Sequence, residues 1–296
     1  MMITIAIVSF KEPKTIGRAI KSFLKQNLKD YELIVCAPDD DTLNIAERYK
    51  RKNKRVKIIR DEGRGKPTAL NKIFKSAKGE IIILSDGDVY TTDNSVNELI
   101  GGFSSRDIGG VSARVISTNP KNTMFGYWAY ILSEGFHELR ERNSEEGKNI
   151  ICSGYLYAIK KGIVKEIPED ILADDAFISL KINESGYKTV YQPKAKVFVL
   201  YPTNLIDWIR QKKRTASRLY QLKQYYSISK VASLKDEINS GVKTMFYINS
   251  LKEVIWFMLL LVMRIYIWVR VLFDARLWRR SFKKTWERVE STKENK

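Results

Sequence analysis

Two acidic pairs carry residue types that can do chemistry. Asp86-Gly87-Asp88 puts two carboxylates one glycine apart, and Asp174-Asp175 puts two side by side. Paired carboxylates suit a hard divalent cation, and one left unligated can act as a general base. Upstream of both lies a glycine-rich, basic loop, Asp61-Glu62-Gly63-Arg64-Gly65-Lys66-Pro67, where Arg64 and Lys66 precede a helix and suit an anion. The plain alternatives are an Asp-Gly turn with solvated acids, a helix cap and a solvated basic turn. One carboxylate of Asp174-Asp175 can cap a helix, but two adjacent ones cannot both do so cheaply. One of them therefore has a further role.

The elements that must position these groups follow from hydrophobic patterning. Ile81-Ile82-Ile83-Leu84 reads as a strand buried on both faces, with Asp86 and Asp88 at its carboxyl end. In an open α/β sheet, ligands collect outside that end. Gly87 is expected to let the backbone turn so that both acids address one cation. Before it, strands are predicted at Ile3–Phe10, Tyr31–Cys36 and Val56–Ile59, and helices at Thr15–Asn27, Thr42–Arg51 and Thr68–Ala77. That alternation predicts an α/β fold with a doubly wound, mostly parallel sheet. Beyond it come a helix at Ser95–Phe103, a strand at Gly110–Ile116, a helix at Thr123–Arg142 holding the single histidine, His137, and a strand-like run Ile150–Ile159 containing Gly154. A helix Ala176–Glu184, strands Tyr187–Tyr191 and Ala195–Val199, and a basic helix Asp207–Tyr226 follow. His137 reads as a surface or packing residue.

At 296 residues, 44% hydrophobic, the chain can fill one large α/β core with an appendage, so wholesale disorder is excluded. Cys36 and Cys152 are too few for a disulfide framework or a zinc site, and fit a reduced, cytosolic setting. No signal peptide is expected before Ile3. The net charge of +18 is uneven: from Asn204 onward there are 20 Lys/Arg against 8 Asp/Glu, and before it 32 against 26. A basic tail of this kind has two obvious partners, nucleic acid or an anionic membrane.

In that order the motifs resemble the family 2 glycosyltransferases, the GT-A fold enzymes that include cellulose, hyaluronan and dolichyl-phosphate-sugar synthases, over roughly residues 2–215. Val8-Ser9-Phe10 with the helix after it looks like the family's opening strand and helix, and Asp39, with Asp41 nearby, lies near the acid that reads the base. Gly65, Ala69 and Asn71 match a Gly-x-x-x-Ala-x-Asn segment, and Asp86-Gly87-Asp88 the Asp-x-Asp motif. Ala173-Asp174-Asp175 stands where the family has Thr/Glu-Glu-Asp, and Gln211-Lys212-Lys213-Arg214 resembles Gln-x-x-Arg. The usual Asp-Asp after the second strand reads Ala37-Pro38, with the acids displaced to Asp39–Asp41. The Trp that usually follows Gln-x-x-Arg is Thr215, which cannot stack under a sugar and argues against processive polymer synthesis.

The resemblance implies a metal-dependent, inverting transfer from a nucleoside diphosphate sugar. Asp88 would hold Mg²⁺ or Mn²⁺ directly, with Asp86 either sharing the metal or lying nearer the ribose. Ser9, Asp39, Asp41, Lys66, Asn71, Gln211 and Arg214 would bind the donor. Asp175, with Asp174 beside it, would take the proton of the acceptor hydroxyl. Rival readings are a nucleotidyltransferase, which would not need Asp174-Asp175 or the Gln211–Arg214 helix, and a non-catalytic nucleic-acid binder.

Val254–Phe273 is long enough to cross a bilayer, since twenty helical residues span ~30 Å. Arg264 at its centre costs about 2.5–3.5 kcal/mol on insertion scales, and Arg270 follows. Flanking Trp256, Tyr266, Trp268 and Trp278, with Arg276, Arg279, Arg280, Lys283 and Lys284, favour a helix lying in the cytoplasmic leaflet over a single pass. That location implies an anionic membrane surface, a lipid-linked or glycan acceptor, and no nucleic acid. The expected organisation is a catalytic domain at 1–203, a basic helical segment at 204–240 and a membrane-associated tail at 241–296.

Overall fold

The computed structural model describes residues 1–225, 247–277 and 289–293. Trp278, Arg279, Arg280, Lys283 and Lys284, the side chain of Arg276 and the boundary at residue 240 lie outside the described part.

Four strands, β1 (Ile3–Val8), β2 (Tyr31–Ala37), β3 (Val56–Arg60) and β4 (Ile81–Asp86), lie parallel in the order β3-β2-β1-β4. Helices α1 (Ile16–Leu24), α2 (Asp40–Lys52) and α3 (Lys66–Ser76) connect them. The interiors of β1, β2 and β4 are buried throughout, as strands covered on both faces require. Register sets the site: Val8 pairs with both Cys36 and Asp86, so the carboxyl ends of three strands open on one edge.

The remaining strands are β5 (Tyr90–Thr91), β6 (Ile108–Ser117), β7 (Leu156–Lys160) and β8 (Lys188–Val199). With them come α4 (Ser95–Gly101), α5 (Met124–Glu145), α6 (Asp174–Glu184), α7 (Leu205–Tyr225) and α8 (Leu251–Leu277). The eight strands run β3-β2-β1-β4-β7-β6-β8-β5, and the α/β fold is as expected. β7 pairs antiparallel with β4 and with β6, and β5 pairs antiparallel with β8. The sheet thus has a parallel half and an antiparallel extension.

Two local expectations change. The strand predicted at Ile150–Ile159 is regular only from Leu156, and the preceding stretch bends around the acid pair. The strands predicted at Tyr187–Tyr191 and Ala195–Val199 are one strand, β8, running through Pro193. β5 meets β8 only at Val197 and Phe198, so the missing proline N–H removes no ladder bond on that side.

The chain divides into two compact units. One comprises Met1–Val115, Arg140–Val199 and Lys293; the other comprises Ile116–Leu139 and the described residues of Leu200–Thr292. The helical unit thus takes the first part of α5, which the sequence assigned to the catalytic domain. Its core joins Tyr127, Trp128 and Ile131 of α5, Trp208 and Ala216 of α7, and Phe257, Leu260, Ile267 and Val271 of α8. Burying each such Leu, Ile, Val or Phe contributes ~1.5–3 kcal/mol. The Trp128 indole N–H also donates to the Trp256 carbonyl at 2.7 Å.

Candidate functional site

β4 ends at Asp86, and Gly87 extends its pairing with β1 through an N–H bond to the Val8 carbonyl at 3.0 Å. Gly87 is required for space: a Cβ there would strike the Ser9 hydroxyl and the Glu12 carboxylate. The glycine that separates the two acids therefore lets the loop after β1 close against them.

Lys66 opens α3 behind Gly63 and Gly65, whose φ values of 68° and 126° other residues rarely adopt. Its Nζ lies 2.7 Å from Asp86 Oδ1 and 3.2 Å from Asp174 Oδ2. Burial alone would lower the Lys66 pKa, but Asp174, Asp86 and Asp175 outweigh it and raise it, so the ammonium stays charged. Burial pushes the Asp86 carboxyl above its usual range; Lys66 opposes this and Asp88 reinforces it. Arg64, expected to suit an anion alongside Lys66, is exposed and pairs with Glu169 at 3.6 Å and with Glu62.

α6 begins at Asp174, two residues earlier than expected, so both acids lie in its first turn. Asp174 is 3% exposed, and its Oδ2, though ion-paired with Lys66, has no hydrogen-bond partner. Asp175 Oδ2 accepts the Gly154 N–H at 3.0 Å and Oδ1 accepts the Ala176 N–H at 2.9 Å. Two backbone donors fix this carboxylate while leaving lone pairs free. A Cβ on Gly154 would sit 2.9 Å from Asp175 Oδ2, so the close approach flagged by a glycine in a strand-like run is real.

Three groups went unnoticed in the sequence. Tyr157 of β7 is buried, its hydroxyl lacks a hydrogen-bond partner, and its pKa is raised by burial and by Asp174, Asp175, Cys152 and Asp86. It reads as one more aromatic in a buried strand, and only the fold turns it toward the acids. Glu12 accepts the Ser9 hydroxyl at 2.6 Å, and burial pushes its pKa up to about 7 against the pull of Lys293. Lys293 pairs with Glu12 and lies 2.7 Å from Asp88 Oδ2. Asp88 thus already holds a cation.

The family model for glycosyl transferase family 2 matches residues 4–167, more than half the chain. The chain is a family 2 glycosyltransferase. It is 22% identical over 236 residues to the poly-β-1,6-N-acetyl-D-glucosamine synthase of Staphylococcus aureus strain COL, covering 77% of this chain and 57% of that protein. The Staphylococcus epidermidis synthase matches at 22% over 240 residues, covering 78% and 58%. The chain therefore spans somewhat more than half the length of these relatives. In fold it is similar to the mannosyltransferase PcManGT of Pyrobaculum calidifontis, solved with GDP-Man and Mn²⁺, with a TM-score of 0.68, 17% identity and coverage of 94% and 87%. It is also similar to S. aureus TarS 1–349, solved with UDP-GlcNAc, with a TM-score of 0.54, 14% identity and coverage of 93% and 92%.

In this glycosyltransferase the fold brings Asp86, Asp88, Asp174, Asp175, Lys66 and Ser9 to one end of the sheet. Asp39 caps α2: its oxygens accept the Lys11 N–H at 2.7 Å and the Thr42 N–H at 3.0 Å. Burial would raise its pKa, but these bonds hold it below the usual value. Asp41 is exposed in the first turn of α2. Asn71 is held within the protein: its amide donates to the Ile167 carbonyl and accepts the Ile167 N–H, both at 2.9 Å. That clamp fixes the chain ahead of the acid pair. Gln211 and Arg214 belong to the helical unit, where Gln211 is buried and Arg214 half-buried.

Among the described residues no three His, Cys, Asp or Glu side chains converge to encircle a metal. A cation that keeps waters and substrate phosphates needs only one or two protein carboxylates. Asp88, already holding an ammonium, fits that role, and the unbonded Asp174 Oδ2 adds acceptor capacity.

Proposed function

We propose that this glycosyltransferase moves a sugar from a nucleoside diphosphate sugar, with UDP as the favoured nucleotide, to a hydroxyl of a lipid-linked or glycan acceptor. The observation that carries the reading is the Lys66 ammonium, which links Asp86 at the end of β4 to Asp174 at the start of α6. It ties the acids of the donor motif to the acids of the base motif.

Asp175, held by two backbone N–H groups, is the group that takes the acceptor proton. Attack from its side in a single displacement inverts the anomeric configuration. Lys66 provides fixed positive charge for a diphosphate, and Asp174 keeps that lysine charged and placed. Asp88, with Asp86, would hold Mg²⁺ or Mn²⁺. A bound divalent cation supplies neutralisation of the charge that grows on a departing diphosphate. Lys293 must then give up Asp88. UDP is favoured because TarS was solved with UDP-GlcNAc and the sequence relatives are poly-N-acetylglucosamine synthases; the GDP-Man of PcManGT makes GDP the competing arm.

The membrane placement rests on α8. Leu251–Val271 is long and apolar enough to cross a membrane, with a mean hydropathy of 2.0. Its inward stripe packs on α5 and α7 while Val254, Ile255, Met258, Leu259, Val262 and Ile265 remain exposed. A helix with one face on protein and an apolar face outward suits a protein seated in the cytoplasmic leaflet.

The test incubates the full chain with UDP-sugars and GDP-sugars in Mn²⁺ and measures the nucleotide released and the thermal stability of the protein. The reading requires that a UDP-sugar stabilise the protein, release UDP, and yield product of inverted anomeric configuration by NMR. Release of pyrophosphate, or no stabilisation by any nucleotide sugar, would overturn it.

A further inference from the structure

Tyr157 of β7 is 1% exposed, and its hydroxyl has no hydrogen-bond partner. A buried phenol is normally hydrogen-bonded, since burial has stripped it of water. A second buried atom matches it. Asp174, 3% exposed, keeps Oδ2 without a hydrogen bond, although the Lys66 ammonium lies 3.2 Å away. One atom is a donor lacking an acceptor, the other an acceptor lacking a donor.

Strand register brings the tyrosine to the acids. Tyr157 stands directly opposite Leu84 of β4 on one side and Ser112 of β6 on the other. Cross-strand partners share a face of the sheet, and so do residues two apart on a strand. Tyr157 and Asp86 are therefore diagonal neighbours on one face, a separation an aromatic side chain can cover. Lys66 then links Asp86 to Asp174. Other acceptors nearby are already engaged. Asp86 Oδ1 accepts from Lys66 at 2.7 Å, both Asp175 oxygens accept backbone N–H groups, and Ser112 Oγ accepts the Ser153 N–H at 2.9 Å. Burial, and then Asp174 ahead of the other acids, raises the pKa of the phenol, so it keeps its proton and stays a donor.

We propose that Tyr157 is a positioning residue of the donor site, whose hydroxyl donates to Asp174 Oδ2 when a nucleoside diphosphate is bound. This rests on the donor reading given above. Lys66 has three N–H groups, one of them committed to Asp86, and a diphosphate draws on the others. Asp174 then keeps the charge of its lysine but needs a hydrogen bond of its own, and the phenol is the unspent donor. A carboxylate held in this way anchors Lys66 against the pull of the diphosphate. Being buried, Tyr157 acts through Asp174 and not on the substrate itself.

The experiment titrates the full chain with UDP and with GDP in Mn²⁺ by calorimetry, and records Tm without nucleotide. The proteins are wild type, Tyr157→Phe, Asp174→Asn and the double variant. Tyr157→Phe is expected to bind the nucleotide about tenfold more weakly, the loss of one hydrogen bond to a charged group. The loss should appear in donor KM and leave kcat within about twofold of wild type. Without ligand, Tm should equal or exceed that of wild type, since the change removes an unpaired buried hydroxyl. In the Asp174→Asn background, Tyr157→Phe should weaken binding no further, because the two side chains act as one unit. Tyr127→Phe is the control: that hydroxyl is also buried and unpaired, but it belongs to the helical unit, and nucleotide affinity should be unchanged. Equal affinity in wild type and Tyr157→Phe would overturn the assignment and leave the donor reading standing. So would a lower unliganded Tm in Tyr157→Phe, or an undiminished loss of affinity in the Asp174→Asn background. Binding of neither nucleotide to wild type would overturn the donor reading itself, and the proposal with it.

Discussion

Lys66 Nζ lies 2.7 Å from Asp86 Oδ1, and the same ammonium reaches Asp174 at 3.2 Å, so one residue at a helix start joins two acids 88 positions apart. Lys66→Met should leave two carboxylates in a partly buried setting without their cation. The expected loss of stability is about 1–3 kcal/mol, with donor binding weakened more than tenfold. Lys66→Arg should recover part of the binding. Unfolding and donor titrations on both variants check this; unchanged donor affinity in Lys66→Met would remove the lysine from the donor site.

Asp175 and Gly154 form a second dependent pair. Asp175→Asn should lower turnover by ~10²–10⁴ with donor affinity largely intact, the usual range for a lost general base. Gly154→Ala should act on the same step from the other side, because its new methyl would press on Asp175 Oδ2. Steady-state kinetics with acceptor saturating distinguish a loss in kcat from a loss in donor KM. Near-wild-type kcat in Asp175→Asn would take the residue out of the chemistry.

Lys293 competes with any metal for Asp88. Lys293→Ala should tighten Mn²⁺ binding several-fold, read directly by calorimetry or by the spectrum of free Mn²⁺ and without an activity assay. Weaker Mn²⁺ binding in that variant would show that the lysine assists the metal rather than excluding it.

Glu32 of β2 gives a pH dependence remote from the site. Its carboxylate accepts the Thr4 hydroxyl at 2.8 Å and the Lys78 N–H at 2.7 Å, and pairs with Lys57. Burial opposes ionisation, but Lys57, Lys78 and Thr4 outweigh it and hold the pKa below the ordinary 4.5. A lowered pKa means stability that is fully present above pH 4.5 and lost as pH falls through the folded value. Glu32→Gln should therefore cost stability at pH 7, by about 1–3 kcal/mol, and narrow its gap from wild type below pH 4. Urea midpoints at pH 7 and pH 3.5 test the sign.

Burial raises the pKa of both thiols, that of Cys152 to about 12, with Asp61 adding to the effect at Cys36. Few thiolates form at pH 8, so iodoacetamide should modify both cysteines only after unfolding, as mass spectrometry would show.

Local chemistry determined much of this protein before any coordinates were needed. Four apolar runs joined by three helices bury themselves as parallel strands covered on both faces. The acids at their ends then share an edge, and the order of Asp86, Asp88, Asp174 and Asp175 indicated the family. Tertiary structure decided what each side chain touches, because contacts between residues remote in sequence leave no local period. The Asn71 amide was spent on Ile167, Gly87 was needed for room beside Ser9 and Glu12, and Tyr157 met the acids only through the pairing of β7 with β4. Arg264 shows the same limit most plainly. A helical sequence states that an arginine interrupts an apolar run, but which way it points depends on the partner that buries the helix.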